Sequence, residues 1–415
     1  MTELERLIEE YCPNGVEYKT LGELGAFYGG LSGKSKDDFV DGNAKFITYM
    51  NVFSNIELNL DTKDTVQIGE NEKQNTIEYG DVLFTGSSET PDECGMSSVL
   101  TKHTEEKLYL NSFCFGFRFY DKELILPGFS KYLFRSEALR KQIKKTASGV
   151  TRFNVSKKKM EKVTIPIPPV EVQREIVRIL DNFAELTAEL TAELTARKKQ
   201  YEYYRDTLLT FGVHREGTFE TKWRTLGEVC GLQAGKAIPA IEISPVQTKE
   251  YSVPCYGGNG LRGYVKTANQ QGDKPLVGRQ GALCGNVCYA TGSYYATEHA
   301  VVVSDKGFFN SRFLYHALVH ANLNQYKTAG AQPGLSVAKL EKVKIPVPEK
   351  EIQDRIAKVL DNFDAICSDL NIGLPAEIEA RKKQYEYYRD MLLTFAAADD
   401  IILTDRQTDR QTEPN

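Results

Sequence analysis

The chain has 415 residues, of which 41% are hydrophobic and 26% are charged, and its formal net charge is −5. At about 150 residues per domain, this length predicts two or three domains, and the composition excludes a wholly disordered chain. No apolar run approaches about 18 residues and the chain starts on the acidic MTELERLIEE, so we expect neither a membrane span nor a secretory signal. The negative charge excludes a uniformly basic nucleic-acid coat but not local basic surfaces.

The eight cysteines show no pattern of a metal site or of a disulfide framework. They are scattered along a chain without a signal, which predicts reduced thiols in a cytoplasmic protein. The pair Cys284 and Cys288 has no second ligand pair nearby, whereas structural zinc needs four ligands. We therefore expect no metal site and interpret this pair as small buried hydrophobic residues.

The predicted elements alternate between short strands and helices in two parts of the chain. In chain order, β-rich runs between glycine-rich turns lie at 45–49, 80–84 and 113–119, a helix at 128–144, further strands at 275–277 and 300–303, and a helix at 311–325. Both parts are therefore expected to be mixed α/β.

A long helix is predicted after the first of these parts. Residues 165–169 are extended, because proline disfavours the helical conformation in the residue before it. From Glu171 no proline or glycine occurs before Gly212, and apolar residues recur mostly every three or four positions. This pattern is typical of a coiled-coil helix, here about 60 Å long. A similar helix follows the second part but is interrupted at 371–375, where Gly373 is expected to end one helix and Pro375 to begin the next.

The sequence contains an internal duplication. Residues 159–183 and 339–363 are identical at 14 of 25 aligned positions, and ARKKQYEYYRDTLLTF at 196–211 recurs at 380–395 with one difference in 16. A weaker match joins 18–23 to 223–228. We therefore expect two tandem repeats, each a variable body followed by a nearly invariant tail. A recent local gene conversion is the alternative explanation for the similar tails.

The expected domain boundaries follow from this duplication. Body one comprises residues 1–156, the first tail 157–217, body two 218–338, the second tail 339–397, and 398–415 a disordered polar extension. The predicted fold class is α+β: two mixed α/β domains separated by two long antiparallel coiled-coil helices, with a pseudo-two-fold relationship from the duplication.

The first tail also contains a four-residue repeat, AELTAELTAELT at 184–195. Removal of one repeat would shorten a helix by about 6 Å and rotate the remainder of that helix by about 40°, close to the roughly 35° rotation of one DNA base-pair step. The repeat is either a length-setting device or a low-complexity insertion in a solvated helix.

Motifs for catalysis are incomplete. The segment 29–35 and the similar segment 231–236 lack the first glycine of a phosphate-binding loop, and the histidines at 316 and 320 lack the glutamate of H-E-x-x-H. No G-x-S-x-G motif is present. We therefore expect a protein without catalytic residues of its own, with no catalytic, metal or cofactor site.

Basic residues are concentrated where a nucleic acid would bind. Residues 141–162 carry eight basic residues and one acidic residue, and Arg152 in their middle is suited to bidentate contact with a guanine. In body two, Gln332 is suited to adenine. The DNA-binding candidates are Lys34, Lys144, Lys145, Arg152, Lys157, Lys158, Lys236, Arg262, Arg279, Lys327 and Gln332. For each single residue, a solvated surface charge is the alternative.

The duplicated run of Ile-Pro-x-Pro, Glu-x-Gln, Ile and a long helix, at 165–176 and 345–356, resembles the specificity subunit of type I restriction-modification systems. Members of that family often have Glu and Gln adjacent, whereas this chain has one residue between them. The resemblance implies that each body is a target recognition domain for one half of a bipartite, asymmetric double-stranded DNA target. It also implies that the two tails fix the gap between the halves.

The resemblance further implies two methyltransferase subunits as partners, joined by restriction subunits in the full complex. Those subunits would use S-adenosylmethionine, ATP and magnesium, and this chain would bind no cofactor. The duplicated tails predict two docking places for one partner, with candidate residues Tyr201, Tyr204, Arg205, Tyr385, Tyr388 and Arg389, although coiled-coil packing explains the tyrosines as well. The alternative function is a coiled-coil scaffold whose variable bodies bind proteins.

Overall fold

The structure is a computed structural model that describes residues 2–211, 221–281, 283–328, 333–368 and 372–396. The chain divides into two compact units. Unit 1 consists of Met1–Glu189 together with Glu379–Asn415, and unit 2 consists of Leu190–Ile378. Each unit therefore contains one body, the beginning of the tail that follows it, and the end of the other tail.

The elements of body one and the first tail follow one another in the order expected of a mixed α/β chain. They are α1 Glu3–Tyr11, β1 Glu17–Thr20, α2 Leu21–Leu24, β2 Gly25–Gly29, β3 Ala44–Ile47, α3 Tyr49–Ser54, β4 Thr65–Val66, β5 Thr76–Ile77, β6 Val82–Thr85, β7 Ser87–Ser88, β8 Ser97–Val99, β9 Leu108–Leu110, β10 Cys114–Phe119, α4 Pro127–Leu133, α5 Glu137–Thr146, β11 Ala147–Ser148, β12 Phe153–Val155, α6 Lys157–Met160, β13 Thr164–Ile167 and α7 Val170–Leu209.

The elements of body two and the second tail repeat this order with fewer helices in the described part. They are β14 Lys222–Thr225, α8 Leu226–Val229, β15 Cys230–Ala234, β16 Val253–Gly257, β17 Gly260–Val265, β18 Gln270–Gln271, β19 Lys274–Gly278, β20 Val287–Ala290, β21 Ser293–Ala296, β22 Ala300–Asp305, α9 Ser311–His320, α10 Val337–Leu340, β23 Lys344–Val347, α11 Lys350–Ser368 and α12 Leu374–Leu392. Short 3₁₀ turns occupy Asp37–Phe39, Ala240–Glu242 and Leu323–Tyr326.

Two four-stranded sheets have the same topology in both bodies although the sequences share little, and body one also has a three-stranded sheet of order β11-β12-β7. In body one an antiparallel sheet has the order β2-β10-β6-β8, and in body two the order is β15-β22-β19-β20. A second sheet has the order β4-β3-β9-β5 in body one and β17-β16-β21-β18 in body two, and in each its central pair alone is parallel. The described strands thus establish a duplicated α+β fold.

Each body is closed where it joins its tail. Strand β1 pairs antiparallel with β13, and β14 pairs in the same way with β23. The threonine that ends β1, Thr20, forms a capping box with Glu23, and Thr225 forms the same box with Glu228. The weak repeat at 18–23 and 223–228 therefore encodes one strand-to-helix junction used twice.

Helix α7 is continuous over 40 residues, as the uninterrupted apolar pattern predicts. Its first part places Ile176 and Leu180 in the core of unit 1, where Leu393 of the second tail is also buried. Its last part places Leu209 in the core of unit 2. The burial of one such side chain contributes about 1.5–3 kcal/mol, so both ends of the helix are held by tertiary packing.

Three predicted helices differ in their limits. The helix predicted at 128–144 is two helices, α4 and α5, because Ser136 caps a new start by accepting a hydrogen bond from the Leu139 backbone. The helix predicted at 311–325 ends at His320, close to Asn322, which has a positive φ of 45°. In the second tail, α12 begins at Leu374, so that Pro375 is its second residue.

Candidate nucleic-acid interface

Backbone hydrogen bonds align the two bodies residue by residue. The Gly86 N–H donates to the Phe113 carbonyl at 2.7 Å, and in body two the Arg279 N–H donates to the His299 carbonyl at 2.9 Å. Both bonds lie just beyond corresponding strands, β6 and β19. Gly86 therefore corresponds to Arg279 and Phe113 to His299. Their side chains are unlike, so sequence comparison alone does not detect the correspondence.

Each body has a surface groove at this corresponding position. The groove of body one, which we call groove one, is lined by Tyr49, Met50, Phe53, Ser87, Ser88, Glu89, Glu93, Phe113, Val150, Thr151 and Arg152. The groove of body two, groove two, is lined by Gly257, Gly258, Asn259, Gly260, Leu261, Arg262, Gln280, Gly281, Leu283 and His299. Groove one lies between the segment after β3, the segment after β6 and the residue before β10. Groove two lies between the corresponding places, which are the segments after β16 and β19 and the residue before β22. The two bodies thus present unlike side chains on one frame.

Arg152 projects from a tight turn at the rim of groove one. Its Nε and Nη2 atoms lie 3.1 and 3.0 Å from the Ser87 hydroxyl, and its guanidinium lies 5.6 Å from the Phe113 ring centroid. The turn requires Gly149, which has φ of 151°, because a Cβ there would lie 1.9 Å from the Arg152 carbonyl oxygen. The arginine remains exposed, so its guanidinium is available to a ligand in the groove.

Groove two is shaped by a close approach of two glycines. A Cβ on Gly278 would lie 1.8 Å from the Gly258 carbonyl oxygen, so the two loops can meet only without a side chain there. Arg262 is exposed in the lining of this groove. Gln332, the adenine-reading candidate, lies outside the described residues. Its place in the sequence corresponds to Arg152, because the bridge between Gln280 and Gly334 repeats the pairing of Ser87 with Asn154 in body one.

The remaining basic candidates differ in how free their charges are. The side chain of Lys34 is only 8% exposed and its ammonium lies 2.6 Å from Glu72. The backbone N–H of Gly69 and this lysine together lower the pKa of Glu72 to about 2. Lys144 lies 2.7 Å from Asp92. The exposed candidates are Lys145, Lys157, Lys158, Lys236 and Lys327.

The segments 29–35 and 231–236 are not aligned as their sequences suggest. The Lys236 N–H donates to the Ala296 carbonyl, as the Leu31 N–H donates to the Leu110 carbonyl. Lys236 therefore corresponds to Leu31 and not to Lys34. Neither segment forms the phosphate-binding loop that its glycines superficially suggest.

The duplicated tyrosines pack within the units in matching ways. Tyr385 lies 6.3 Å from the Tyr132 ring in unit 1, and Tyr201 lies 6.2 Å from the His316 ring in unit 2, both at 62°. Tyr388 stacks on a ring of α7, and Tyr204 stacks on a ring of α11.

The neighbouring arginines are paired in the same repeated manner. Arg389 and Arg205 each pair with the next residue, an aspartate, at 2.8 Å. Packing therefore accounts for much of this repeated pattern. The neighbours Tyr203 and Tyr387 are the most exposed tyrosines of the repeat, each 66% exposed.

A polar cluster supports the end of the first tail in unit 2. His316 is fully buried, with Nε2 2.7 Å from Asp361 and Nδ1 3.2 Å from the Tyr201 hydroxyl. Burial lowers the pKa of His316, against the opposite effect of Asp361. Burial would raise the pKa of Asp361, but hydrogen bonds from Arg312 and His316 hold it below its usual value. In unit 1, the corresponding hydrogen bond joins Tyr132 to Asp181.

The glutamine of each repeated Glu-x-Gln motif has a structural role that the sequence analysis did not assign. Gln173 is buried; it accepts a hydrogen bond from the Leu126 backbone at 2.8 Å and donates to the carbonyls of Leu124 and Pro168. Gln353 is also buried and makes the same three kinds of contact, with Asn310, Phe308 and Pro348. The motif thus fixes each tail helix to the body before it.

All eight cysteines are unpaired, and seven of them are buried. In the described ranges, His, Cys, Asp and Glu side chains form no group of three that could hold a metal ion. None of the helices in the described part of the chain carries the length of apolar sequence that a bilayer crossing requires.

Comparison with known proteins gives consistent matches. The family described as the type I restriction modification DNA specificity domain matches residues 13–197 and 220–380. The EcoprrI specificity subunit of Escherichia coli is 50% identical over 209 residues, which are 49% of this chain and 51% of that protein. The match thus spans about half the length of that relative. A Mycoplasma pneumoniae protein named as a type I specificity subunit is 34% identical over 338 residues, 77% of this chain and 90% of that protein.

Two solved structures have the same fold. The S subunit of a type I restriction-modification system from M. genitalium has a TM-score of 0.57 at 16% identity, covering 91% of this chain and 96% of its own. A chain from a structure of type I system assembly and conformational transition has a TM-score of 0.60 at 18% identity, covering 91% and 97%. At these identities the likeness establishes the fold.

Proposed function

We propose, on the premise that the chain belongs to the type I restriction-modification DNA specificity family, that it is the subunit that selects the DNA sequence for such a complex. Each body recognises one half of a bipartite target, and partner subunits methylate adenine or cleave. The chain itself contributes no catalytic residue and binds no cofactor. It acts in the cytoplasm, where such a complex meets the DNA of the cell.

The observation that carries this proposal is the pair of corresponding grooves. They lie at the same place in two copies of one fold, yet groove one presents Arg152, Ser87 and Phe113 whereas groove two presents Arg262, Gln280 and His299. Two sensors of the same design with unlike side chains suit an asymmetric target, because direct recognition of bases depends on the donors and acceptors presented to the base edges.

The tails supply the proposed partner surface. A partly exposed stretch of 16 residues that differs at one position between its two copies suits two copies of one protein, here the methyltransferase subunit, with restriction subunits joining the full complex. The accessible Tyr203 and Tyr387 extend the predicted docking residues Tyr201, Tyr204, Arg205, Tyr385, Tyr388 and Arg389. Packing alone does not require that Tyr203 and Tyr387 be preserved, because both side chains are mostly exposed.

An exchange experiment tests the function. Residues 25–156 are replaced by the corresponding body of another family member, and the methylated sites are mapped by sequencing the methylome of a host that carries the chain and its methyltransferase. We expect one half-site to change while the other half-site and the gap stay the same. A change in both half-sites would contradict independent recognition by the two bodies.

A salt titration separates this function from that of a protein-binding scaffold. DNA affinity should fall linearly on a log–log plot, with a slope near −0.9 for each phosphate contacted. A chain that binds its partners but shows no salt-dependent binding to duplex DNA would favour the scaffold. Family membership favours the DNA-binding function.

A further inference from the structure

Body one has a second, smaller groove beside groove one, which we call the lysine groove. It is lined mainly by backbone and small polar residues, among them Gly29, Gly86, Ser112 and Asn154, with Lys157 as its cation. The Lys157 ammonium lies 5.7 Å from the Phe115 ring centroid. Within the described ranges, no carboxylate lies within ion-pair distance of this ammonium. The groove therefore holds an accessible positive charge.

The corresponding place in body two has lost this lysine. Ser156 caps α6 by accepting a hydrogen bond from the Lys159 backbone at 3.3 Å, and Ser336 caps α10 through Lys339 at 3.3 Å. Lys157, the residue after Ser156, therefore corresponds to Val337. If no other residue supplied a cation in body two, the positive charge at this place would be confined to body one.

Body two instead supplies a cation from another element. Arg279 stands where body one has Gly86. A Cβ built on Gly86 would lie 3.9 Å from the Phe115 ring, the same ring that the Lys157 ammonium approaches. An arginine side chain at this position thus begins beside the place that the lysine occupies. Body one combines glycine with lysine, and body two combines arginine with valine.

The guanidinium of Arg279 also lacks a partner among the residues that the structure describes. Its Nε atom is buried and has no hydrogen-bond partner in the structure. Glu298 precedes His299, whose carbonyl accepts the Arg279 N–H, but its carboxylate is 3.1 Å from His299 Nε2. The described residues place no carboxylate within ion-pair distance of the guanidinium. A buried donor of this kind is costly unless something satisfies it, and a phosphate oxygen is an acceptor that suits a guanidinium.

We propose that each unit holds one phosphate of the DNA backbone at this position, through Lys157, the first residue of the first tail, in unit 1 and through Arg279 in unit 2. The inference rests on the proposed function and assigns these residues to the DNA backbone. The exchange itself argues for phosphate. Lysine and arginine both bind phosphate irrespective of base sequence, and each groove keeps one such cation here although the two side chains start from different backbone positions. A cation kept beside two unlike grooves suits a contact that does not depend on base sequence.

The test uses the full chain and two duplexes, one with the target found by methylome mapping and one without it. Arg279→Gly gives body two the residue that body one already has. We expect weaker binding to both duplexes by a similar factor, and a slope of log affinity against log salt that is shallower by about 0.9. Arg279→Lys keeps the charge and should retain the slope. Exposed Lys249→Ala in the same body is the matched control.

The double variant Arg279→Gly with Val337→Lys rebuilds the arrangement of body one, and it should restore the slope. Lys157→Ala tests body one independently and should reproduce the loss. An unchanged slope in both single variants, a loss confined to the target duplex, or a double variant that stays at the lower slope would each overturn the inference. Absence of salt-dependent DNA binding by the unaltered chain would instead refute the proposed function.

Discussion

The ring of Phe183 stacks on the ring of Tyr388, with centroids 5.3 Å apart and planes inclined by 21°. The two residues belong to different tails. In unit 2 the same arrangement joins Tyr204 and Phe363, at 5.4 Å and 23°. Each compact unit is thus completed by the end of the other tail. The start of each tail packs in the unit of the body before it, and the end of each tail packs in the other unit. The similar sequences of the two tails are consistent with this arrangement, because the same pair of contacts is made twice.

The buried glutamines should contribute equally to the two units. Gln173→Ala and Gln353→Ala each remove a side chain that satisfies one backbone N–H and two carbonyls, and we expect each to lower the free energy of unfolding by about 1–3 kcal/mol. Denaturant unfolding of the full chain measures the change. Gln384→Ala, at an exposed position of α12, should change it by less than about 0.5 kcal/mol. Unaltered unfolding in both core variants would show that these contacts are dispensable.

The TAEL repeat should set the length of the gap between half-sites. Residues 184–195 are helical and mostly exposed within α7, so removal of 191–194 should shorten the helix by about 6 Å and leave the grooves intact. We expect methylome mapping to show both half-sites unchanged and a gap shorter by about one base pair. Replacement of the same four residues by four other helix-favouring residues should leave the gap as it was. A deletion variant with the original gap would refute the length-setting role.

Arg152 should recognise a base rather than only strengthen binding. Arg152→Ala should cost about 1–3 kcal/mol of DNA affinity on the target and relax specificity at one position of one half-site. Competition binding with single-base variants of the target measures this. Lys63→Ala, at an exposed position of the same body, is the control. A uniform loss over all sequences would instead assign Arg152 to phosphate.

The stability of unit 2 should depend on the protonation of His316. Burial lowers the pKa of this histidine in the folded chain, whereas in the unfolded chain the histidine has its usual pKa of about 6.5. As the pH falls through about 6.5, the unfolded chain therefore binds more protons than the folded chain. The free energy of unfolding should therefore fall as the pH drops through and below about 6.5. His316→Tyr copies Tyr132 of unit 1 and should flatten this dependence, as measured by denaturant unfolding between about pH 5 and 7. An equally steep dependence in the variant would point to another group.

The sequence predicted the elements that depend on local pattern. The apolar spacing from Glu171 onward located α7 to within a residue of its start, and the β-rich run before Phe119 corresponds to β10. The tail repeats and the family resemblance are confirmed. The break between α4 and α5 was missed because Ser136 acts as a cap only in its tertiary setting.

The correspondence between the bodies was not predictable in the same way. It lies in backbone hydrogen bonds, such as those from Gly86 and Arg279, which do not depend on the side chains that a sequence comparison aligns. Groove residues such as Tyr49 and His299 carry no signal in the sequence for that reason. The repeated Glu-x-Gln motif was visible, but its glutamine was not recognised as a buried anchor, because the carbonyls it satisfies lie in the preceding loops.

Strands β1 and β13 pair at the point where the chain enters and leaves body one, and β14 and β23 do the same for body two. The two ends of each body are therefore joined by main-chain hydrogen bonds that do not depend on the sequence between them. When recombination replaces the segment between the paired strands, the strand pairing that joins the body to its tail is retained. New combinations of half-sites can thus arise by shuffling cassettes, without redesign of the helices that carry them.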